Sequence, residues 1–318
     1  MDREEFRTSI SETSDEHPSF LEYFIHFMES VSCKYTSLNT KISAENREFC
    51  AKGVRQALNQ YTWPTTVTIP GSANRPEKVE NFTDTFDQLT LLRNGITETI
   101  NGEGNLSLWT REILKWGMGP KSRWSGTQEF IENHQNAPAY LNSINQMASL
   151  DGSTDAIDVP SILRYNSGMS KIHSLSSTTG LIIYDSRVAF TLGECVNSWL
   201  KITETAIIPG YLNFMQAGRR SQVSKKITLP NPYHLDRNHN REQRDNGKWL
   251  DNQMRASWLF RIALENHNDL WVEDEDNSIF TRMHKLEAAF FMLGAYSNTI
   301  EIPPYDDRQI SRDQLEAA

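Results

Sequence analysis

Apolar positions in this chain recur mostly at helical spacing. Over residues 18–32, Leu21, Phe24, Ile25, Met28 and Val31 share one face. Over 83–94, Phe86, Leu89 and Leu92 do the same. The same reading predicts helices over 44–60, 107–117, 125–134 and 138–149. Two strong helices close the chain: 249–265, with Met254, Trp258, Leu259 and Ile262 aligned, and 279–296, with Met283, Leu286, Phe290 and Leu293 aligned. Gly95 and Gly117 are expected to stop the helices before them. Pro64, Pro70, Gly71 and Pro76 make 64–80 a linker or extended segment. Residues 1–17 read as a frayed polar tail, 194–217 as apolar and helical up to Pro209, and 218–250 as polar and irregular. Period-two alternation is scarce. The expected class is mainly α with few or no strands. The expected organisation is a tail, helical region and linker over 1–80, followed by a helical core over 81–318.

Composition narrows the picture. With 318 residues, 38% of them hydrophobic and 23% charged, the chain has the make-up of a soluble globular protein of one large or two modest domains. No apolar run approaches the roughly 20 residues that span a bilayer, so no membrane partner is expected. The start, MDREEFRTSISETSDEH, lacks the basic and apolar stretches of a signal peptide. Cys33, Cys50 and Cys195 are far apart and form no CxxC pair, which argues against a cysteine-bound metal and a disulfide framework. A cytoplasmic location is expected. The net charge of −9 is unevenly spread: residues 109–261 hold 18 Lys and Arg against 13 Asp and Glu, and the rest holds 14 against 28. Local charge governs phosphate binding more than the total does.

The most informative stretch is 156–193. Pro160 suits the first position of a short helix. Asn166, Ser167 and Gly168 suit a turn. A second helix is expected from Met169 or Ser170, carrying Lys171 in its first turn, with Gly180 breaking the chain beyond it. An apolar run, Leu181 to Tyr184, then leads to Asp185, placed as an N-cap before SRVAFTL, with Gly193 closing that helix.

This order (hairpin over 160–178, lysine on its second helix, apolar run, aspartate at a helix start) resembles the helix-hairpin-helix DNA glycosylases. Within them it is similar to the 8-oxoguanine DNA glycosylase fold and its bacterial branch. The resemblance rests on Gly168, Ser170, Lys171 and the string Ile183 to Ala189. It implies a helical glycosylase that flips a modified base out of DNA and cuts its N-glycosidic bond, with Asp185 and Lys171 as the catalytic pair and no metal or cofactor. It implies oxidised guanine as one substrate. Bacterial proteins of this layout widen the expectation to other modified bases, including hypermodified bases of phage DNA, in a defence role.

The chemistry explains why such residues are needed. Breaking the bond builds positive charge on the deoxyribose, and a buried carboxylate offsets it. A lysine amine can attack the sugar carbon and form a Schiff base, which adds lyase activity. A flipped base is received on aromatic surfaces. Trp116, Trp124 and Trp249 are the aromatic candidates for the pocket, with His173 one helical step from Lys171. DNA contacts are expected from Gly168 and Ser170 through backbone amides, from Arg187, from Lys121 and Arg123, and from Arg219, Arg220, Lys225 and Lys226 in GRRSQVSKK. The partner expected is DNA, bound by a monomer. One alternative is a DNA-binding or interaction protein of the same fold without chemistry, favoured by the single-glycine hairpin and acidic total charge. Another is a metal-dependent nuclease using His234, Asp236 and His239.

Overall fold

The computed structural model describes residues 1–14, 16–36, 48–72, 77–102, 104–119, 121–214, 242–267, 269–274, 277–295, 300–302 and 305. Among them, eleven α-helices carry the fold, and short strands form two small sheets. The class is mainly α. No helix among the described residues is long and apolar enough to cross a membrane.

The N-terminal segment is helical rather than frayed. In α1 (Arg3–Ser11), Asp2 accepts a bond from the Glu5 amide at 2.9 Å, and Glu5 accepts one from the Asp2 amide at 2.9 Å. This reciprocal capping box satisfies two orphan donors. Phe6 and Ile10, four residues apart, are fully buried, and Phe6 lies 5.9 Å from the Trp258 ring. Next, α2 (Phe20–Ser30) repeats the device with Ser19 and Glu22.

The helix expected over 44–60 begins outside the described residues; within them Glu48–Lys52 is a strand, β2, and Gly53–Asn59 (α3) is helical. Strand β1 (Ser32–Thr36) pairs antiparallel with β2, and also with a strand near the C-terminus, Ile300–Glu301. Phe49 and Ala51 point inward from β2 while their neighbours are exposed, an alternation of five residues that is too short to stand out. Gly53 makes the corner at φ +68, where an added Cβ would sit 2.7 Å from the Glu29 carbonyl. Within 64–80, β3 (Thr65–Val67) and β4 (Glu77–Val79) pair as a hairpin. In chain order, Ile300–Glu301 is β5.

Two glycines expected to end helices lie inside them. Helix α4 (Phe82–Ile100) runs through Gly95, and α5 (Leu106–Met118) runs through Gly117 and stops at Gly119. An added Cβ at Gly95 would overlap the Trp109 ring, so this glycine lets α4 and α5 close on each other. Helices α6 (Ser125–Asn133) and α7 (Ala137–Met147) agree with expectation to within a residue or two. The first helix of the expected hairpin is a single 3₁₀ turn, Val159–Ser161, and the second is α8 (Ser167–Ser176). Helix α9 (Ser186–Ile202) continues through Gly193. The last two are α10 (Glu242–Asn266) and α11 (Ile279–Ala295).

The apolar core draws on residues both before and after position 80. Helices α10 and α11 are buried at its centre, where Phe260 and Phe290 meet at 4.9 Å. Gly294 of α11 lets α11 close on the start of α9, where any Cβ would strike the Arg187 carbonyl. Thr191 locks the contact by donating to the Phe290 carbonyl at 2.8 Å.

Candidate active site

Residues 181–184 cross the interior as extended chain with no sheet partner. Buried backbone groups need partners, and here side chains supply them. Ser174 donates to the Leu181 carbonyl at 2.8 Å, and Gln253 donates to the Ile182 carbonyl at 2.7 Å. Ser257 accepts from the Ile182 amide at 3.1 Å, Glu287 from the Ile183 amide at 2.8 Å, and Ser170 from the Tyr184 amide at 2.7 Å. Helices α8, α10 and α11 therefore all hold the segment that delivers Asp185.

Asp185 is the N-cap of α9. Its Oδ1 accepts from the Arg187 and Val188 amides at 2.8 and 3.2 Å. Its Oδ2 lies 3.5 Å from the Lys171 Nζ. Burial alone would raise its pKa, but the Lys171 and Arg187 charges and the two amide donors outweigh it and hold the carboxyl below its usual range.

Lys171 is buried on α8, where its Nζ also reaches the Ser167 Oγ at 3.2 Å. Its stem lies against Gly117, where an added Cβ would come within 2.3 Å of the lysine Cδ. Gly117 is a slot for this side chain. The helix starts at Ser167, so Lys171 sits in the second turn rather than the first.

The pair opens on a cavity of about 50 Å³ walled by aromatic rings, chiefly Tyr61, Trp63, Phe86, Trp116 and Phe291. Cavities of about 150 Å³ admit benzene, so a nucleobase enters only when these walls part. The Arg187 guanidinium stacks at 4.2 Å on Phe291 and 5.0 Å on Trp63. The Trp63 indole N–H is tied to the Trp116 carbonyl at 2.8 Å.

The far wall carries a second polar group that sequence reading missed. Arg93 of α4 donates at 3.2 Å to His284 Nε2, and His284 Nδ1 lies 3.0 Å from the Glu287 Oε2. A guanidinium can only donate, so Nε2 accepts and the Nδ1 proton points at Glu287. Oε2 thus takes two donors, from His284 and Ile183, while Oε1 has no bond to a described residue. Burial presses the Arg93 pKa down to about 10, and Glu287 opposes the fall, so Arg93 stays a cation at neutral pH. Tyr61 is pushed up, first by burial and then by Glu287. On α11, His284, Glu287 and Phe291 share a face beside the fully apolar one. Polar residues at this spacing on an otherwise buried helix were the available signal.

The remaining expected site residues fall elsewhere. Of the pocket aromatics, only Trp116 lines the cavity. Trp124 is buried against its own helix start, with its N–H on the Gly119 carbonyl at 3.0 Å, and Trp249 packs edge-on against Tyr184 at 5.7 Å. His173 also faces away from the cavity. It stacks on Tyr165 at 5.2 Å, its Nδ1 meets Asn145 Oδ1 at 2.8 Å, and burial depresses its pKa to about 3. Gly168 and Ser170 are buried, and Asn166 occupies their amides and that of Met169, so the expected phosphate grip at this turn is not available. Lys121 and Arg123 are exposed on a 3₁₀ turn. Arg219, Arg220, Lys225 and Lys226, like His234, Asp236 and His239, lie outside the described residues. Among the described residues, no group of three or more His, Cys, Asp or Glu could hold a metal ion.

No protein-family model, curated protein or solved structure matches the chain.

Proposed function

We propose that this chain is a DNA glycosylase whose catalytic pair is Asp185 and Lys171. The observation that carries the reading is their 3.5 Å approach, buried, at the floor of an aromatic cavity. An ionised Asp185 offsets the charge that builds on the sugar of a flipped nucleotide. Lys171 gives up its ammonium proton to water as the nucleotide enters, and its nitrogen then bonds to C1′ while the C1′–N bond breaks and its electron pair leaves on the base. The proton shed by the attacking nitrogen goes to that base. Ring opening then gives the Schiff base from which strand cleavage follows. The lysine's burial beside Asp185 supports this role over that of an anchor for a surface phosphate. Glu287 Oε1 is placed to accept a bond from the base. Oxidised and hypermodified bases are the substrates to try first, in repair or in defence against phage. Duplex DNA is the partner, held by the exposed Lys121 and Arg123 and by the basic string at 219–226.

The test is abasic-site formation. Duplexes carrying oxidised, deaminated, alkylated or phage-modified bases are incubated with the protein in EDTA and then treated with alkali. Breaks with wild type and none with Asp185→Asn support the reading. Breaks that persist in the variant remove Asp185 from the chemistry. Salt-sensitive binding without breaks on any duplex turns the reading toward a binding protein.

A further inference from the structure

Among the described residues, the Lys171 Nζ has three acceptors: the Ser167 Oγ at 3.2 Å, the Ser167 carbonyl at 3.4 Å and the Asp185 Oδ2 at 3.5 Å. An ammonium has three protons to donate, so this setting holds the resting lysine as a cation. Attack on a sugar carbon needs the free amine. One proton must therefore leave before the bond forms. The lysine side chain is only 3% exposed, and its stem is packed into the slot at Gly117. The proton has to leave through a neighbour.

The neighbours differ in their ability to carry it. The Ser167 carbonyl is an amide oxygen and a very weak base. Burial favours the neutral form of Asp185, but the Lys171 and Arg187 charges and the Arg187 and Val188 amides outweigh it and keep the carboxyl ionised. A proton on Asp185 would also cancel the charge that offsets the sugar cation. Glu287 bonds to His284 and Ile183 and not to Nζ. The Ser167 hydroxyl can both accept a proton from Nζ and donate its own. Among the described residues, Nζ is its one hydrogen-bond partner. Asn166 caps the helix, so the serine hydroxyl is not spent on that task. Ser167 is also the partly exposed first residue of α8, whereas every residue from Gly168 to Ser176 is buried. It alone joins the lysine to the surface.

We propose that the Ser167 hydroxyl is the proton outlet of Lys171. Nζ gives one proton to Oγ while Oγ gives its own to water at the start of α8. The serine ends unchanged, and the lysine is left as an amine with its electron pair free. This rests on the glycosylase reading and adds the step that arms its nucleophile.

The experiment compares Ser167→Thr with Ser167→Val, which share a shape and differ in the hydroxyl. Exchange of the Lys171 Nζ protons with water is measured by NMR on protein whose lysines carry heavy nitrogen, with Lys171→Gln identifying the signal. Base release is followed in single turnovers on the oxidised, deaminated, alkylated and phage-modified duplexes. In Ser167→Val, exchange is expected to slow by about tenfold and release by about 10²-fold, the lower end of what positioned proton transfer contributes. Ser167→Thr is expected to match wild type in both, and the two variants to unfold at the same temperature. Exchange as fast in Ser167→Val as in Ser167→Thr overturns the inference, and if wild type releases a base the glycosylase reading then stands without it. Slowed exchange with undiminished release also overturns it, because the proton then leaves another way during the reaction. If exchange slows but wild type releases no base from any duplex, the outlet stands and the glycosylase reading falls.

Discussion

The two polar walls of the cavity are built on different principles. The Lys171–Asp185 wall is made of short-range, multiply held groups: a capped helix start, a lysine in a glycine slot, and a crossing segment bonded to three helices. The Arg93–His284–Glu287 wall runs from α4 to α11, with Arg93 hydrogen-bonded to one described residue and Glu287 Oε1 to none, while Glu287 Oε2 also holds the Ile183 amide. Under the proposed function, the more tightly held wall suits chemistry and the other suits recognition. The difference teaches that buried charge alone does not identify a catalytic group, because both walls contain it. How tightly each group is held separates them.

The sharpest way to break this comparison is Asp185→Asn. Asn still caps α9, so the fold should persist while base release falls by ~10³-fold, the scale of losing one buried stabiliser of transition-state charge. Abasic-site counting on single-turnover time courses checks it. A loss below tenfold would move the chemistry away from this wall. The adduct trapped by borohydride should disappear in Lys171→Gln, as read by a gel shift. An adduct that remains would mean another amine attacks.

A milder change sharpens the geometry. Gly117→Ala drives the lysine stem out of its slot, and misplacement by about 1 Å costs on the order of 10²-fold. Release should fall by that order, while Gly119→Ala, in open space at the end of the same helix, should cost only stability through its φ of +70. Equal losses of release in both would mean that Gly117 acts through helix stability.

Ser170→Ala tests the crossing. It removes the Ser170 acceptor from the Tyr184 amide and should cost about 1 kcal/mol in denaturant unfolding, with a smaller effect on release. The last effect is the smallest and depends on pH. The Asp185 carboxyl is held below the ordinary aspartate value, so its contribution to stability is present above that value and is lost as pH falls through the folded-state pKa. The stability gap between wild type and Asp185→Asn should be flat above the ordinary aspartate range and close only as pH falls below it. A gap that closes near neutrality would mean that Asp185 is not held ionised.

How much of this was readable beforehand differs between the walls. The N-cap at Asp185 and the lysine fourteen residues earlier were legible because caps and short spacings are local signals. The second wall was not, since Arg93 and Glu287 are 194 positions apart and are joined through His284 only once the chain has folded. Gly95 and Gly117 misled for the same reason. A glycine that ends a helix and one that admits a neighbour look alike in sequence, and only the third dimension distinguishes them. Helix α1 was missed although Asp2, Glu5, Phe6 and Ile10 spelled it out, because a polar start outweighed a capping box. The small sheet was missed because its strands are short and β1 pairs with a strand more than 260 residues away.

The crossing at 181–184 has a consequence for how this protein is made. Among the described residues, α8, α10 and α11 supply the side chains that bond its amides and carbonyls, and two of these helices are synthesised after it. Until those helices have emerged and docked, nothing holds Asp185 opposite Lys171. A nascent or truncated chain ending before α11 therefore carries both residues but lacks the Glu287 bond that helps to set them opposite each other.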